Sequence, residues 1–473
     1  MINALLLQRP PVLTAEDLDR IETAMVRILE RVGVRVPDDD LRATLAGRGF
    51  RTRDDFVCVE SGVVRAFLAE ERARHGGTSG PAPPAELAER ITAGVCPYPQ
   101  HVHDLLSGRL VPFTVARLTE AVKLVDVLAE RGLLSSPPGC PTDVPPALQP
   151  VMQYWVAATY SRHGRAPVDP KSEATFPYVA AMAEALGRSI RHLPVYVGSP
   201  LTLAGESLTC VLRYRDRLDA IGVNSMAAPG STAPINIGGA LALAAAEVIG
   251  PVILLRELLG LPVHWWISIH PVDLGSLAMV FGSPESTLFQ LATRELNAHL
   301  RGAQWAPEVD NPRTNAKLPG PQACAEKASL MTLGALLGAR HFGALGTLSL
   351  DEVFSTEQLL YDLEIRDHVQ RLVEGLDGAI DPEECVATVL EGVQVGTFAG
   401  LDDTLACYRS VYWRPTLFAR EFVGGWLAKG ARDPREKVHA EIAACIARHQ
   451  YRLEEDLQRE IDRVLAEARA ALT

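Results

Sequence analysis

From Thr14 the chain places apolar Leu18, Ile21, Met25, Ile28 and Leu29 three or four residues apart among charged positions. That is the period of an amphipathic helix. Thr14, with Asp17 three residues on, supplies its N-terminal cap. A proline and glycine cluster, GGTSGPAPP at 76–84, interrupts this first region and reads as a loop or a domain boundary. Beyond Val95 the pattern changes to short apolar runs alternating with long helical stretches, the pattern of repeated βα units on a parallel sheet. Strands are predicted at Gly132–Ser136, Pro194–Ser199, Ile221–Met226, Val263–Ile269, Ala303–Ala306 and His341–Leu345. Helix starts are explicit at Ser283-Pro284-Glu285 and Asp381-Pro382-Glu383, each a cap followed by proline at the first helical position and an early carboxylate. From Asp433 to Thr473, apolar Ile442, Cys445, Ile446, Leu453 and Leu457 predict one long charged helix.

With 473 residues, 47% of them hydrophobic, the chain can bury a large core. Its net charge of −12 offers no broad basic field, which argues against nucleic acid and against an anionic membrane surface as partners. The N-terminus lacks the basic region and cleavage site of a signal peptide, and no run of about 18 apolar residues is evident. The eight cysteines are scattered without a CxxC pair, so reduced thiols, a cytoplasmic location and no metal site are expected. Neither GxGxxG nor a Walker A pattern occurs, and nucleotide binding has no support.

Five stretches in order carry a more specific signal. They are His103-Asp104 with LLSGRLVPFT at 105–114, MAAPGSTAPINIGGALALAAAEVI at 226–249, FGSPESTLFQLATRELNAHL at 281–300, TNAKLPGPQACAEKA at 314–328 and FSTEQLLYDLEI at 354–365. Together they resemble the trimethylamine methyltransferase family, over about residues 15–440. With ordinary residues throughout, the chain resembles the branch lacking pyrrolysine, exemplified by glycine betaine methyltransferases. It departs from the family near its C-terminal end, where GVQVGTFAGLDDTL at 392–405 carries no histidine.

The resemblance implies an α/β fold: a (β/α)8 TIM-type barrel over 96–430, with an N-terminal helical region (1–95) packed on it and a C-terminal helix (431–473). It also implies a homo-oligomer. The implied activity moves a methyl group from a quaternary or tertiary methylated amine to a corrinoid (cobalamin) held by a partner protein, with no cofactor bound tightly by the chain itself. Two other readings stand beside it: a biosynthetic enzyme on the same barrel that works without a corrinoid, and a non-catalytic binder of methylated amines.

A quaternary ammonium has no N–H to donate, so aromatic faces and a carboxylate at a distance are its natural partners. Trp305, with Glu308 and Asp310 following it, falls at the end of a predicted strand, where this fold gathers catalytic groups. Trp265, Trp266 and His270 lie in HWWISIHP, and strand alternation sends the two tryptophans to opposite faces. Asn315 and Lys317 lie in the loop that matches the family's pyrrolysine region. Asp362 and Glu364 diverge by roughly 200° around one helix; Glu364, beside Tyr361, is expected to face the site. Glu364 and Asp310 are the expected catalytic carboxylates. Gly230, Ser231 and Thr232 read as a tight turn whose N–H groups could bind an anion. His103-Asp104 reads as a structural turn, and Cys140 beside Asp143 lacks the clustered ligands of a zinc site.

Overall fold

The computed structural model describes residues 9–75, 90–134, 137–303, 311–375 and 381–472. The expected first helix is Ala15–Arg31. Thr14 and Asp17 form a reciprocal capping box, and Ile21, Met25, Val26 and Leu29 form its buried stripe. The N-terminal region also holds an antiparallel sheet in which Phe56–Cys58 lies between Val34–Arg35 and Arg51–Arg53. Its strands are two or three residues long, too short to show a period, which is why a purely helical region was expected. The helix Ala15–Arg31 packs on Ile237–Leu259. Gly250 permits the approach, since a Cβ there would stand 2.6 Å from both Leu29 and Val34 side chains. Ile237–Leu259 is long and apolar enough to cross a membrane, yet most of it is buried within the protein.

Parallel strands followed by helices dominate the middle of the chain. His192–Val197, Ala220–Ser225 and Val263–Trp266 pair in sequence order, and a bridge from Ala227 to Ile269 extends the last pair. A second parallel set joins His341–Phe342 to Thr92–Ala93, and Ala93 bridges to Leu133. The α/β class follows. Among the described residues the parallel pairings fall in these two sets and in a third, between Val353–Phe354 and His101–His103, and not in one continuous closed sheet. The strand expected at Ala303–Ala306 falls mostly in 304–310, outside the described residues.

One expectation is corrected at the C-terminus. The single long helix is two, Pro434–Arg448 and Glu455–Leu472. His449 is extended (φ −63°, ψ 123°), and its imidazole Nε2 lies 2.8 Å from the Tyr160 carbonyl oxygen. This fixes a corner that lets the last helix lie against Gln149–Tyr160 and Phe176–Ala185. The hint in the sequence is the apolar gap between Ile446 and Leu453, six residues without an aliphatic larger than alanine.

The core holds a fully buried ion pair. Lys327 Nζ lies 2.6 Å from Asp362 Oδ2, with both side chains sealed from solvent. The same carboxylate accepts from the Gly346 N–H at 2.7 Å and from Gln358 Nε2 at 2.8 Å. Helices Pro321–Leu336 and Thr356–Glu374 and the turn at 346 therefore meet at one polar node. Removing one partner of a buried pair strands the other charge. Lys327→Ala is expected to lower the unfolding free energy by about 3 kcal/mol or more, measured by urea titration, whereas breaking a solvent-exposed pair such as Arg463–Glu460 should change it little.

Candidate functional site

A cavity of about 750 Å3 opens at the C-terminal ends of the parallel strands. Tyr196 and Val197 reach it from the end of His192–Val197, and Asn224 and Ser225 from the end of Ala220–Ser225, followed by Met226. Loops supply Tyr98, Asp169, Lys171, Ser268, Arg313 and Asp351. A smaller chamber of about 260 Å3, lined by Trp266, His270 and Phe281 among others, shares Met226, Ser268 and Arg313 with it. The two chambers are neighbours on one surface.

Strand register decides which side chains arrive. Tyr196 pairs with Asn224 and Asn224 with Trp266, so these three share one face of the sheet. The adjacent row, Val195, Val223 and Trp265, is buried on the other face. Trp265 is thereby removed from the site. Its indole N–H donates to Glu71 Oε2 at 3.0 Å, and the Arg301 guanidinium lies 4.1 Å from its ring centroid, so it ties the strand to helix Ser61–His75.

The larger cavity has two polar groupings. The Tyr196 hydroxyl donates to Asp169 Oδ2 at 3.2 Å and shares a hydrogen bond with Tyr98. Partial burial, with Tyr98 and Asp169 alongside, pushes the Tyr196 pKa up, so the phenol stays protonated. Lys171 follows Asp169 in a tight turn, with its own N–H donating to Asp169 Oδ1 at 3.0 Å and a left-handed backbone (φ 61°). In the second grouping, Arg313 Nη1 lies 3.3 Å from Asp351 Oδ2 while its buried Nε has no partner among the described residues. Arg313 also stands 5.4 Å from the Phe281 ring. Its charge adds to burial in pulling the His270 pKa down to about 4, burial being the larger cause. The cavity thus offers carboxylates and aromatic faces together with two cationic heads, a set suited to a small zwitterion.

Several expected site residues lie elsewhere. Asn315 is spent on backbone, accepting from Phe281 N–H at 2.6 Å and donating to the Met279 carbonyl at 2.9 Å. Lys317 bonds Ser349 Oγ at 2.7 Å. Tyr361 is half-buried among the core side chains, its pKa pushed up to about 12 by burial. Glu364 is not at the cavity: it accepts from the backbone N–H of Leu417 at 2.9 Å and of Phe418 at 3.3 Å, anchoring a later segment. Asp362 and Glu364 do diverge as helical geometry requires, but toward Lys327 and toward Leu417. The turn at Gly230, Ser231 and Thr232 donates its three N–H groups to the carbonyls of Ala233 and Ala228. None is left for an anion, and the helix that follows is capped separately by Asn236. Trp305, Glu308 and Asp310 lie outside the described residues.

Asp104 accepts from Ser107 N–H at 2.9 Å and Oγ at 2.6 Å, a local turn, as read from the sequence. Cys140 is buried with its pKa pushed up by burial, partly offset by Lys171 nearby. Among the described residues no three His, Cys, Asp or Glu side chains cluster as metal ligands. Sequence reasoning missed Tyr98, Asp169, Tyr196, Arg313 and Asp351. Tyr196 was within reach, since it lies in the strand predicted at Pro194–Ser199; the others sit on loops whose convergence no local pattern encodes.

These features define an α/β protein with a mixed-charge, aromatic-lined cavity at strand C-termini. The family model for trimethylamine methyltransferase matches residues 6–472, and the chain belongs to that family. It is 30% identical over 256 residues to a trimethylamine methyltransferase of Methanosarcina mazei, covering 53% of this chain and 50% of the relative. It is 28% identical over 271 residues to a glycine betaine methyltransferase of Desulfitobacterium hafniense, covering 55% of each. The chain therefore spans about half the length of these relatives. A monomethylamine methyltransferase structure from Methanosarcina barkeri aligns over 99% of this chain and 96% of its own at 9% identity, with a TM-score of 0.36, too loose a superposition to transfer any residue.

His270 carries a pH signature. Its pKa falls from 6.5 in the unfolded chain to about 4 in the fold, so the fold holds the neutral ring. The stability this contributes is full above pH 6.5 and is lost as pH falls toward 4, because the unfolded chain takes up the proton first. Replacing it, His270→Gln, is expected to flatten the stability profile across that window, measured by denaturant titration at a series of pH values; NMR should show the wild-type imidazole titrating near pH 4.

Proposed function

We propose that the chain is a (β/α)8-barrel methyltransferase that takes a methyl group from a small methylated amine and passes it to the corrinoid of a separate protein. The observation that carries this reading is the cavity itself, with Tyr98, Tyr196 and Asp169 in one hydrogen-bonded grouping and Arg313 and Lys171 on the same walls. A quaternary nitrogen placed against the tyrosine faces gains roughly 0.5–2 kcal/mol per cation–π contact, and Asp169 adds long-range attraction. A carboxylate on the same molecule finds its counter-ions in Arg313 and Lys171, which favours a betaine-type substrate over trimethylamine. One relative is named a glycine betaine methyltransferase. Trp266 and His270 on the smaller chamber, and Trp305, Glu308 and Asp310, are further candidates for substrate contact.

Barrel closure is supported by the two parallel sets and by the helices that follow His192–Val197, Ala220–Ser225 and Val263–Trp266. The intervals between Leu133 and His192 and between Trp266 and His341 each have room for one more βα unit, completing eight. The corrinoid supplies the acceptor of the methyl group. This chain's part is to strip water from the ammonium and aim its N–CH3 bond at the opening; a neutral amine leaves, so no general acid is required. The opening fits a large apolar visitor. Met226 lines it and is exposed, and Ile235, Leu274 and Leu277, on the loops that follow Ala220–Ser225 and Val263–Trp266, are exposed as well; the loop carrying Ile235 touches the hairpin carrying Leu274, where a Cβ on Gly230 would stand 2.8 Å from both.

The test is methyl transfer to free Co(I) cobalamin, followed by visible absorbance, over a panel of betaines, tertiary amines and quaternary amines without a carboxylate. The expected result is transfer from a carboxylated quaternary amine, with kcat/KM lowered about tenfold to a hundredfold by Asp169→Asn or Tyr196→Leu. Arg313→Gln is expected to erase the preference for the carboxylated substrate. A panel in which no compound is demethylated overturns the reading.

A further inference from the structure

Helix Ile237–Leu259 packs on the three parallel strands and on Ala15–Arg31, and in its middle it carries a carboxylate, Glu247, fully closed to solvent. Among the described residues no cation pairs with it. Glu247 Oε2 accepts from Ser199 Oγ at 2.7 Å, and Oε1 accepts from the Leu201 N–H at 3.0 Å. Donors on both oxygens are the arrangement of an ionised carboxylate, which can only accept. Burial pushes its pKa up, while Ser199, Leu201 and Ser225 pull the other way. Ser225 is 3% exposed, and its hydroxyl completes no hydrogen bond of normal geometry among the described residues. A buried charge with two firm donors and no counter-ion is costly, and the apolar helix around it gives no structural need for one.

Its position relative to the cavity supplies a use. Val197 pairs with Ser225 in the same row as Val195 and Val223, the row that faces the helices. Glu247 therefore lies directly behind the strand ends whose other face carries Tyr196 and Asn224 into the cavity. The turn it holds is strained, with Leu201 in a left-handed backbone (φ 49°) that residues other than glycine disfavour. The same loop continues to Gly205 and Glu206 in the cavity wall. Among the charges that line the cavity, Asp351 is spent on Arg313, and Asp169 is followed by Lys171 in its own turn. Those groups are partly or fully open to solvent, where water and salt screen them, whereas a buried charge is screened far less. The field of Glu247 thus falls on the Tyr196 and Asn224 end of the cavity, and Arg313 stands toward the smaller chamber. A zwitterion entering this field is turned with its cation toward the strand ends and its anion toward Arg313.

We propose that Glu247 is a positioning residue whose buried charge makes the cavity select a quaternary nitrogen over a neutral group of the same shape. The proposal rests on the reading of the cavity as a quaternary-amine site. Binding to the full chain is to be measured by calorimetry with two probes, glycine betaine and tert-butylacetic acid as its anion, in which carbon replaces the nitrogen. The ratio of the two affinities on one sample does not depend on the fraction of chain that is folded. Wild type is expected to favour betaine, and Glu247→Gln, which keeps the shape and an acceptor for Leu201, should lower the ratio about tenfold. Glu247→Asp, which keeps the charge and disturbs the hydrogen bonds, should hold the ratio within about threefold of wild type. A purely structural role predicts the opposite order, with the Gln variant nearer to wild type than the Asp variant. A wild-type preference that Glu247→Gln leaves intact overturns this proposal alone, and a wild type without preference for betaine overturns the quaternary-amine reading and this proposal with it.

Discussion

The parallel register of three neighbouring strands is the constraint on which the site depends. Because side chains alternate across a strand, pairing Tyr196 with Asn224 and Asn224 with Trp266 commits that row to the cavity side and the row of Val195, Val223 and Trp265 to the helices. A slip by one residue would exchange the two rows and carry a buried tryptophan, with its bond to Glu71, into the open. The register is thus held from outside the cavity, by apolar packing and the Trp265 anchor, and the polar inner row follows from it.

What gathers at the strand ends is chemically mixed. Asp169 with its tyrosines and Asp351 with Arg313 are two groupings of opposite emphasis, and neither is deeply buried except at Arg313 Nε, whose unpartnered donor is costly in isolation. Such a donor beside a cavity is satisfied by a ligand or water acceptor. The neighbouring His270 is kept neutral by burial and by the same arginine, so the smaller chamber stays free of extra cationic charge near the opening.

Away from the cavity, buried polar groups serve architecture. Asp362 with Lys327 joins two helices to the turn at Gly346, and Glu364, two residues along the same helix, receives the backbone N–H groups of Leu417 and Phe418. One helix therefore connects the core node to the segment 381–432, whose large apolar side chains are mostly exposed. The family departure at 392–405 lies within that segment.

Much of the architecture was legible in the sequence. The cap at Thr14, the helix starts at Ser283 and Asp381, the strands near 194–199, 221–226 and 263–269, and the family from its ordered motifs all rest on signals a few residues long, because helices and strands repeat locally. The divergence of Asp362 from Glu364 and of Trp265 from Trp266 was equally a matter of local geometry. Which member of each pair met the cavity was not. Glu364 was expected there and instead holds backbone fifty-odd residues away in sequence, and the turn at Gly230 spends its N–H groups on its own carbonyls. The site's own residues, from Tyr98 to Asp351, come together from loops separated by most of the chain. That convergence was decided by tertiary structure alone, since side-chain partners across long loops leave no period, cap or spacing for the sequence to display.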